Sequence, residues 1–227
     1  MKRATAFLLA LLLILSLAAC GSQNSTAMQT QTIEPRESES TPQAEPQETA
    51  DTEKKILIVY FTPANSDTVD AVSSATPRVG NTASVEYVAQ LIGEQVDADV
   101  ARIVPVDAYP LPYQEAADLA LAQQKANERP GFTLDVNPEE YDVLFIGYPV
   151  WWYHLPMIMQ TFFDTYDFSG KTIIPFNTHG GSRDSGTWKD IANLEPGAVV
   201  EEGLTVHGER VEKADSSVKD WLAKLGY

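Results

Sequence analysis

Along residues 54–227 the apolar positions alternate between two rhythms: unbroken runs, and stripes at helical spacing. Runs without polar alternation fit strands covered on both faces, as in a parallel sheet enclosed by helices. Such runs occur at 55–61, 100–106, 143–147, 171–176 and 199–206. Between the first two, residues 82–95 place Val85, Val88, Ala89, Leu91 and Ile92 on one helical face, stopping near Gly93. An alanine-rich helix is predicted over 113–127, followed by an Arg129-Pro130-Gly131 turn. Helices are also predicted over 155–166, 187–194 and 214–225. Five strands with intervening helices imply an α/β domain with a doubly wound, five-stranded parallel sheet. No internal repeat is visible.

The third strand carries the most specific chemical signal. It runs into Gly147-Tyr148-Pro149 and then Val150, Trp151, Trp152 and Tyr153. Ligands of open α/β sheets bind in the crevice outside the carboxyl ends of the strands. Paired indoles at that place suggest a flat aromatic ligand, although one of them is expected to pack the following helix against the sheet.

Composition narrows the classes. The whole chain has 227 residues and a formal net charge of −16, and residues 54–227 alone hold 13 Lys and Arg against 25 Asp and Glu. Such an acidic domain repels nucleic acid and anionic membrane surfaces. The single cysteine, Cys20, excludes an intrachain disulfide, a cysteine-based zinc cluster and a protein-ligated iron–sulfur centre. It follows Lys2, Arg3 and the apolar run 6–17, too short to span a bilayer comfortably, in the order Leu17-Ala18-Ala19-Cys20-Gly21. This resembles the bacterial lipoprotein signal. The resemblance implies that residues 1–20 are a signal whose Cys20 carries lipid, and that the domain sits at the extracytoplasmic face of the bacterial cell membrane. Residues 21–53 are rich in Ser, Thr, Gln, Glu and Pro and read as a disordered tether. A flexible coil of that length reaches ~30 Å root-mean-square.

Three motifs punctuate the domain in order: Gly80-Asn81-Thr82 before the first helix, Pro149-Val150-Trp151-Trp152 after the third strand, and Asn177-Thr178-His179-Gly180-Gly181-Ser182 after the fourth. With the strands between them, residues 54–227 resemble the flavodoxin-like family. The resemblance implies a flavin mononucleotide (FMN) cofactor, with its phosphate at the first motif and its ring between the other two. Helix amino termini bind phosphate through unpaired backbone N–H groups without needing a lysine, and Thr62 and Thr82 are candidate hydroxyl donors. Trp151 is the expected stacking residue, next to Trp152 and Tyr153. Thr178, His179, Gly180, Gly181 and Ser182 are expected at the polar edge of the ring, the glycines permitting close approach. Stacking within so acidic a domain predicts a low potential for full reduction.

The implied function is electron transfer to a redox partner protein or a small quinone-like acceptor, with membrane contact only through the lipid anchor. The same residues suit an FMN-dependent NAD(P)H:quinone or nitro-compound reductase, and a third reading is a ligand-binding lipoprotein that has lost FMN. A hydrolase is disfavoured: His179, Ser182 and Asp184 crowd one loop and there is no G-x-S-x-G elbow. His154 and His207 have no partners at metal-ligand spacing and read as surface or packing residues. One departure from the family pattern stands out. Thr62 and Gly80 are separated by the 63–79 insertion, and the two residues before Gly80 are Arg78 and Val79 rather than hydroxyls. A loop of that length is functional or mobile in many folds.

Overall fold

The computed structural model describes residues 54–63, 78–79, 82–110 and 112–227. Cys20, the 21–53 segment, Gly80, Asn81 and most of the 63–79 insertion lie outside the described residues.

The centre of the domain is a sheet whose first strand, β1 (Ile56–Phe61), pairs in parallel with β4 (Asp99–Pro105) on one side and β6 (Val143–Pro149) on the other. β6 pairs in turn with β7 (Thr172–His179), and β7 with β8 (Val199–Val200) and β9 (Leu204–His207), all parallel. All seven residues of β6 are buried, as its apolar sequence requires. Alternate residues feed two cores. Leu57, Val59 and Phe61 pack with α2 (Tyr113–Ala126), α3 (Met157–Thr165) and α4 (Thr187–Leu194). Ile58 and Tyr60 pack on the opposite face with α1 (Ser84–Gly93) and α5 (Asp215–Leu225). Each fully buried Ile, Leu or Phe contributes about 1.5–3 kcal/mol of transfer free energy, so these two layers dominate the stability.

The α/β fold with a doubly wound, mostly parallel sheet is as expected, and three details differ. The run 199–206 is not one strand. It breaks into β8 and β9 because it lies against Pro175 of β7, which has the same parity as Ile173, whose carbonyl accepts from the Glu201 N–H at 2.9 Å. The missing N–H of Pro175 therefore faces the fifth strand, and no ladder bond can form there. Gly203 crosses at this gap, where a Cβ would lie 2.4 Å from the Pro175 carbonyl oxygen and 2.7 Å from the Trp188 ring. The second difference is an added edge strand, β5 (Phe132–Thr133), antiparallel to the end of β4. Third, the first helix begins at Ser84 rather than Thr82. Thr82 and Ala83 form β3, paired antiparallel with β2 (Arg78–Val79), so Thr82 belongs to a strand pair that precedes the helix.

β1 is flanked by β4 and β6, so the chain reverses its direction of winding between β1 and β6. That reversal is the crevice where doubly wound sheets take ligands.

Candidate functional site

Parallel pairing brings the carboxyl ends of β1, β6 and β7 to one rim, with Tyr60 beside Gly147 and Pro149 beside Thr178. The turn after β6 is unusual. Trp151 and His154 exchange both backbone hydrogen bonds, at 3.1 and 2.9 Å, which closes a two-residue hairpin loop over Trp152 and Tyr153. Both loop residues are left-handed, with φ 48° and 66°. Asn and Gly favour such positions, and a bulky residue pays ~1–2 kcal/mol at each. The result holds two aromatic side chains out of the core, Trp152 at 44% and Tyr153 at 68% exposure. Trp152 is fixed by its Nε1–H, which donates to the Ala117 carbonyl of α2 at 2.9 Å.

Between this flap, α2 and the loop after β7 lies a groove of about 470 Å³. Small residues of α2, Ala116, Ala117 and Ala120, form one wall with Tyr113. Val150, Trp151, Trp152 and Tyr153 form another, and Gly180, Gly181 and Ser182 complete it. Gly181 adopts φ 135°, a conformation open to glycine, and the space beside it is empty. Of the five non-glycine residues with positive φ among the described residues, four lie in these two loops: Trp152, Tyr153, Arg183 and Ser185. Strain collected at one rim marks a functional site more than a packing accident.

The rim is also electrostatically defined. His179 is almost fully buried, and its Nδ1 accepts from the Gly181 N–H at 2.9 Å. Burial first, then the neighbouring His207 and Arg183, holds its protonation below the usual histidine range. Beneath the groove Tyr148 is enclosed and hydrogen-bonded to Thr187 at 2.8 Å, and desolvation pushes its phenol well above the ordinary value. Tyr60 is likewise pushed up to about 12, by burial and then by Glu86 of α1.

The family profile named Flavodoxin matches residues 55–225. The chain belongs to the flavodoxin family. Among solved structures, a candidate flavoprotein from Bacteroides uniformis is 28% identical over 75% of this chain and 98% of its own, with a TM-score of 0.59. One from Bacteroides eggerthii is 24% identical over 77% and 99%, with a TM-score of 0.58. A flavoprotein from Lactobacillus acidophilus, solved in complex with FMN, is 21% identical over 70% and 97%, with a TM-score of 0.51. No curated protein matches.

The expected site residues divide into three groups. Val150, Trp151, Trp152, Tyr153, Gly180, Gly181 and Ser182 all line the groove. Trp151, however, is not placed to stack. Only 7% of it is exposed, and its ring meets Phe61 and Tyr109 edge-on at centroid distances of 5.5 and 5.2 Å. The hairpin turns the following two residues outward instead. Pro149 ends β6 and is buried in the sheet. His179 and Thr178 are also corrections: β7 continues through His179 because Thr205–His207 pair with it, so neither lines the groove, and Thr178 is fully buried in the ladder. Its carbonyl accepts from the Val150 N–H at 2.8 Å. Thr62 is fully buried just after β1, its carbonyl accepting from Arg102 at 3.1 Å, and Thr82 is half-buried in β3. Gly80 and Asn81 lie outside the described residues.

The α2 wall was not anticipated. Its signal is present in the sequence as small residues at 116, 117 and 120, one helical stripe starting after Pro112. For a planar ring the fit is good: two exposed aromatics on a fixed flap, a flat alanine wall, and a glycine edge with open space. Outside the groove lining, α1 opens after Ala83 without a side-chain cap, which suits an anion at its first turn.

Proposed function

We propose that this protein binds FMN with its ring in the aromatic groove and transfers electrons to a redox partner protein or a small quinone-like acceptor. Lipid on Cys20 and the 21–53 tether would hold it at the extracytoplasmic face of a bacterial membrane. The observation that carries the reading is the strained Trp152-Tyr153 hairpin facing an exposed glycine edge at the switch point of the sheet. The Bacteroides uniformis relative, described as a candidate flavoprotein, and the FMN complex of the Lactobacillus acidophilus protein support it.

FMN held in the groove would supply the redox chemistry, the exchange of electrons between a donor and the acceptor. The chain's residues bind, orient and tune. Trp152 and Tyr153 offer aromatic surface, the former held by its bond to Ala117. The α2 alanines and Val150 exclude water from one side of the groove. Gly180 and Gly181 let backbone approach without a side chain between. The surplus of carboxylates opposes added negative charge, so the potential for full reduction is expected to be low.

The test is the visible spectrum of the purified protein with and without added FMN. Absorption bands of bound flavin are expected, with the fluorescence of added FMN quenched as it binds. A colourless protein that takes up no FMN overturns the proposal and favours a ligand-binding lipoprotein. A carrier should not oxidise NAD(P)H in steady state without a protein partner, and turnover with a quinone alone would make it a reductase. Replacing Cys20 with Ala should move the protein from the membrane to the soluble fraction.

A further inference from the structure

On the far side of the 179–183 loop from the groove, a second cleft of about 550 Å³ opens where β7 and β9 end. Its other walls are the 3-10 turn Gly208–Lys213 and the start of α5. Arg183, Arg210 and Lys213 line it together with His179 and His207. In a domain with nearly twice as many acidic as basic side chains, three cations gathered around one cavity are conspicuous. Among the described residues they have no carboxylate partners. The ion pairs among the described residues are Arg129–Asp164 and Lys219–Asp215. Glu209 and Glu212, on the same turn, do not line the cleft.

The two histidines add donors rather than more repulsion. Their rings meet edge-on at 5.1 Å. His179 Nδ1 accepts from Gly181 N–H at 2.9 Å and His207 Nδ1 from Glu209 N–H at 3.3 Å. With Nδ1 an acceptor, each neutral ring carries its proton on Nε2 and has that N–H to offer. α5 begins without a side-chain cap, and Ala214 and Ser217 of its first turn border the same space. Three cations, two imidazole N–H groups and an uncapped helix start match a multiply charged oxyanion better than a single carboxylate.

We propose that this cleft binds the phosphate group of a small phosphorylated molecule. The domain's net negative charge disfavours a nucleic acid polymer and so favours a small one. Gly181 borders both cavities, so a molecule anchored here by its phosphate can extend its other end to the aromatic groove. The inference rests on the cleft alone and stands whether or not the groove takes a flavin. The phosphate has two possible sources, FMN itself or a separate phosphorylated co-substrate.

The test is calorimetric titration of the full-length protein with inorganic phosphate and with pyrophosphate at low salt. Wild type is compared with the double variant Arg210→Gln/Lys213→Gln and with the control Lys189→Gln/Lys224→Gln, which removes the same charge elsewhere. Saturable binding is expected, at least tenfold weaker in the cleft variant and unchanged in the control, with the His179 and His207 ring resonances moving on addition of pyrophosphate. No binding, or equal weakening in both variants, overturns the proposal. Riboflavin and FMN then separate the sources. Loss of FMN affinity alone in the cleft variant identifies the phosphate as that of FMN. Unchanged FMN affinity, with pyrophosphate still binding the FMN-loaded protein, identifies a separate molecule.

Discussion

Replacing Gly147 with Ala tests how tightly the sheet supports the site. Gly147 is opposite Phe176 in the β6–β7 ladder, and a Cβ there would lie 2.2, 2.4 and 2.9 Å from three atoms of the Phe176 ring. Phe176 is fully buried, so the ring has no solvent to move into. Overpacking of this kind costs about 1–3 kcal/mol. For a domain of this size each kcal/mol is worth roughly 2–4 °C in Tm, so a cost near 2 kcal/mol predicts a fall of about 4–8 °C. Phe176→Leu alone should also destabilise, by about 1–2 kcal/mol, through the space it leaves. Combined, the two changes should fit each other, and the double variant should be more stable than the sum of the single effects predicts. Thermal and urea unfolding followed by circular dichroism measure all three. Strictly additive losses, or a Gly147→Ala protein that melts like wild type, would refute the packing described.

Three further outcomes follow from the structure. Trp152→Ala should weaken FMN binding by about tenfold, the scale of one aromatic contact, with little loss of stability; Trp151→Ala should instead lower stability by about 3–5 kcal/mol. Fluorescence titration and urea melts distinguish them, and the reverse pattern would return the stacking role to Trp151. Glu195 is nearly buried, and burial raises its carboxyl from 4.5 to about 7. Its neutral form favours folding, so that contribution is complete below pH 4.5 and lost as pH rises through 7. Glu195→Gln should therefore gain on wild type between pH 5 and pH 8, by about 1–2 kcal/mol after allowance for its partial exposure, and a gap that does not widen in urea melts at the two pH values would contradict this. Gly203→Ala should cost at least ~2 kcal/mol, because backbone and Pro175 crowd the new Cβ, and its urea midpoint checks it.

Much of the fold was legible because burial on both faces writes strands as unbroken apolar runs, as in 56–61 and 143–149. The order of motifs also located the rim. What was hidden depended on neighbours far along the chain. Nothing local distinguishes Trp151 from Trp152; the left-handed hairpin decides which one faces out. The break at Gly203 is dictated by a proline one strand away, and Thr178 reads as loop only until β9 is known to extend the ladder. The meeting of His179 with His207 likewise arises from two strands set side by side. The alanine wall of α2 was visible in the sequence, yet small residues announce themselves weakly, since their meaning is the space they leave.

The interruption at Pro175 has a consequence for life at high local density. Outermost strands expose unpaired amides and carbonyls, and a long straight one invites a second molecule to add itself to the sheet. Here that border consists of two short pieces, β8 and β9, offset where Gly203 tucks inward. A chain crowded among its own copies thus presents no extended template on that side, and so is guarded against runaway self-association.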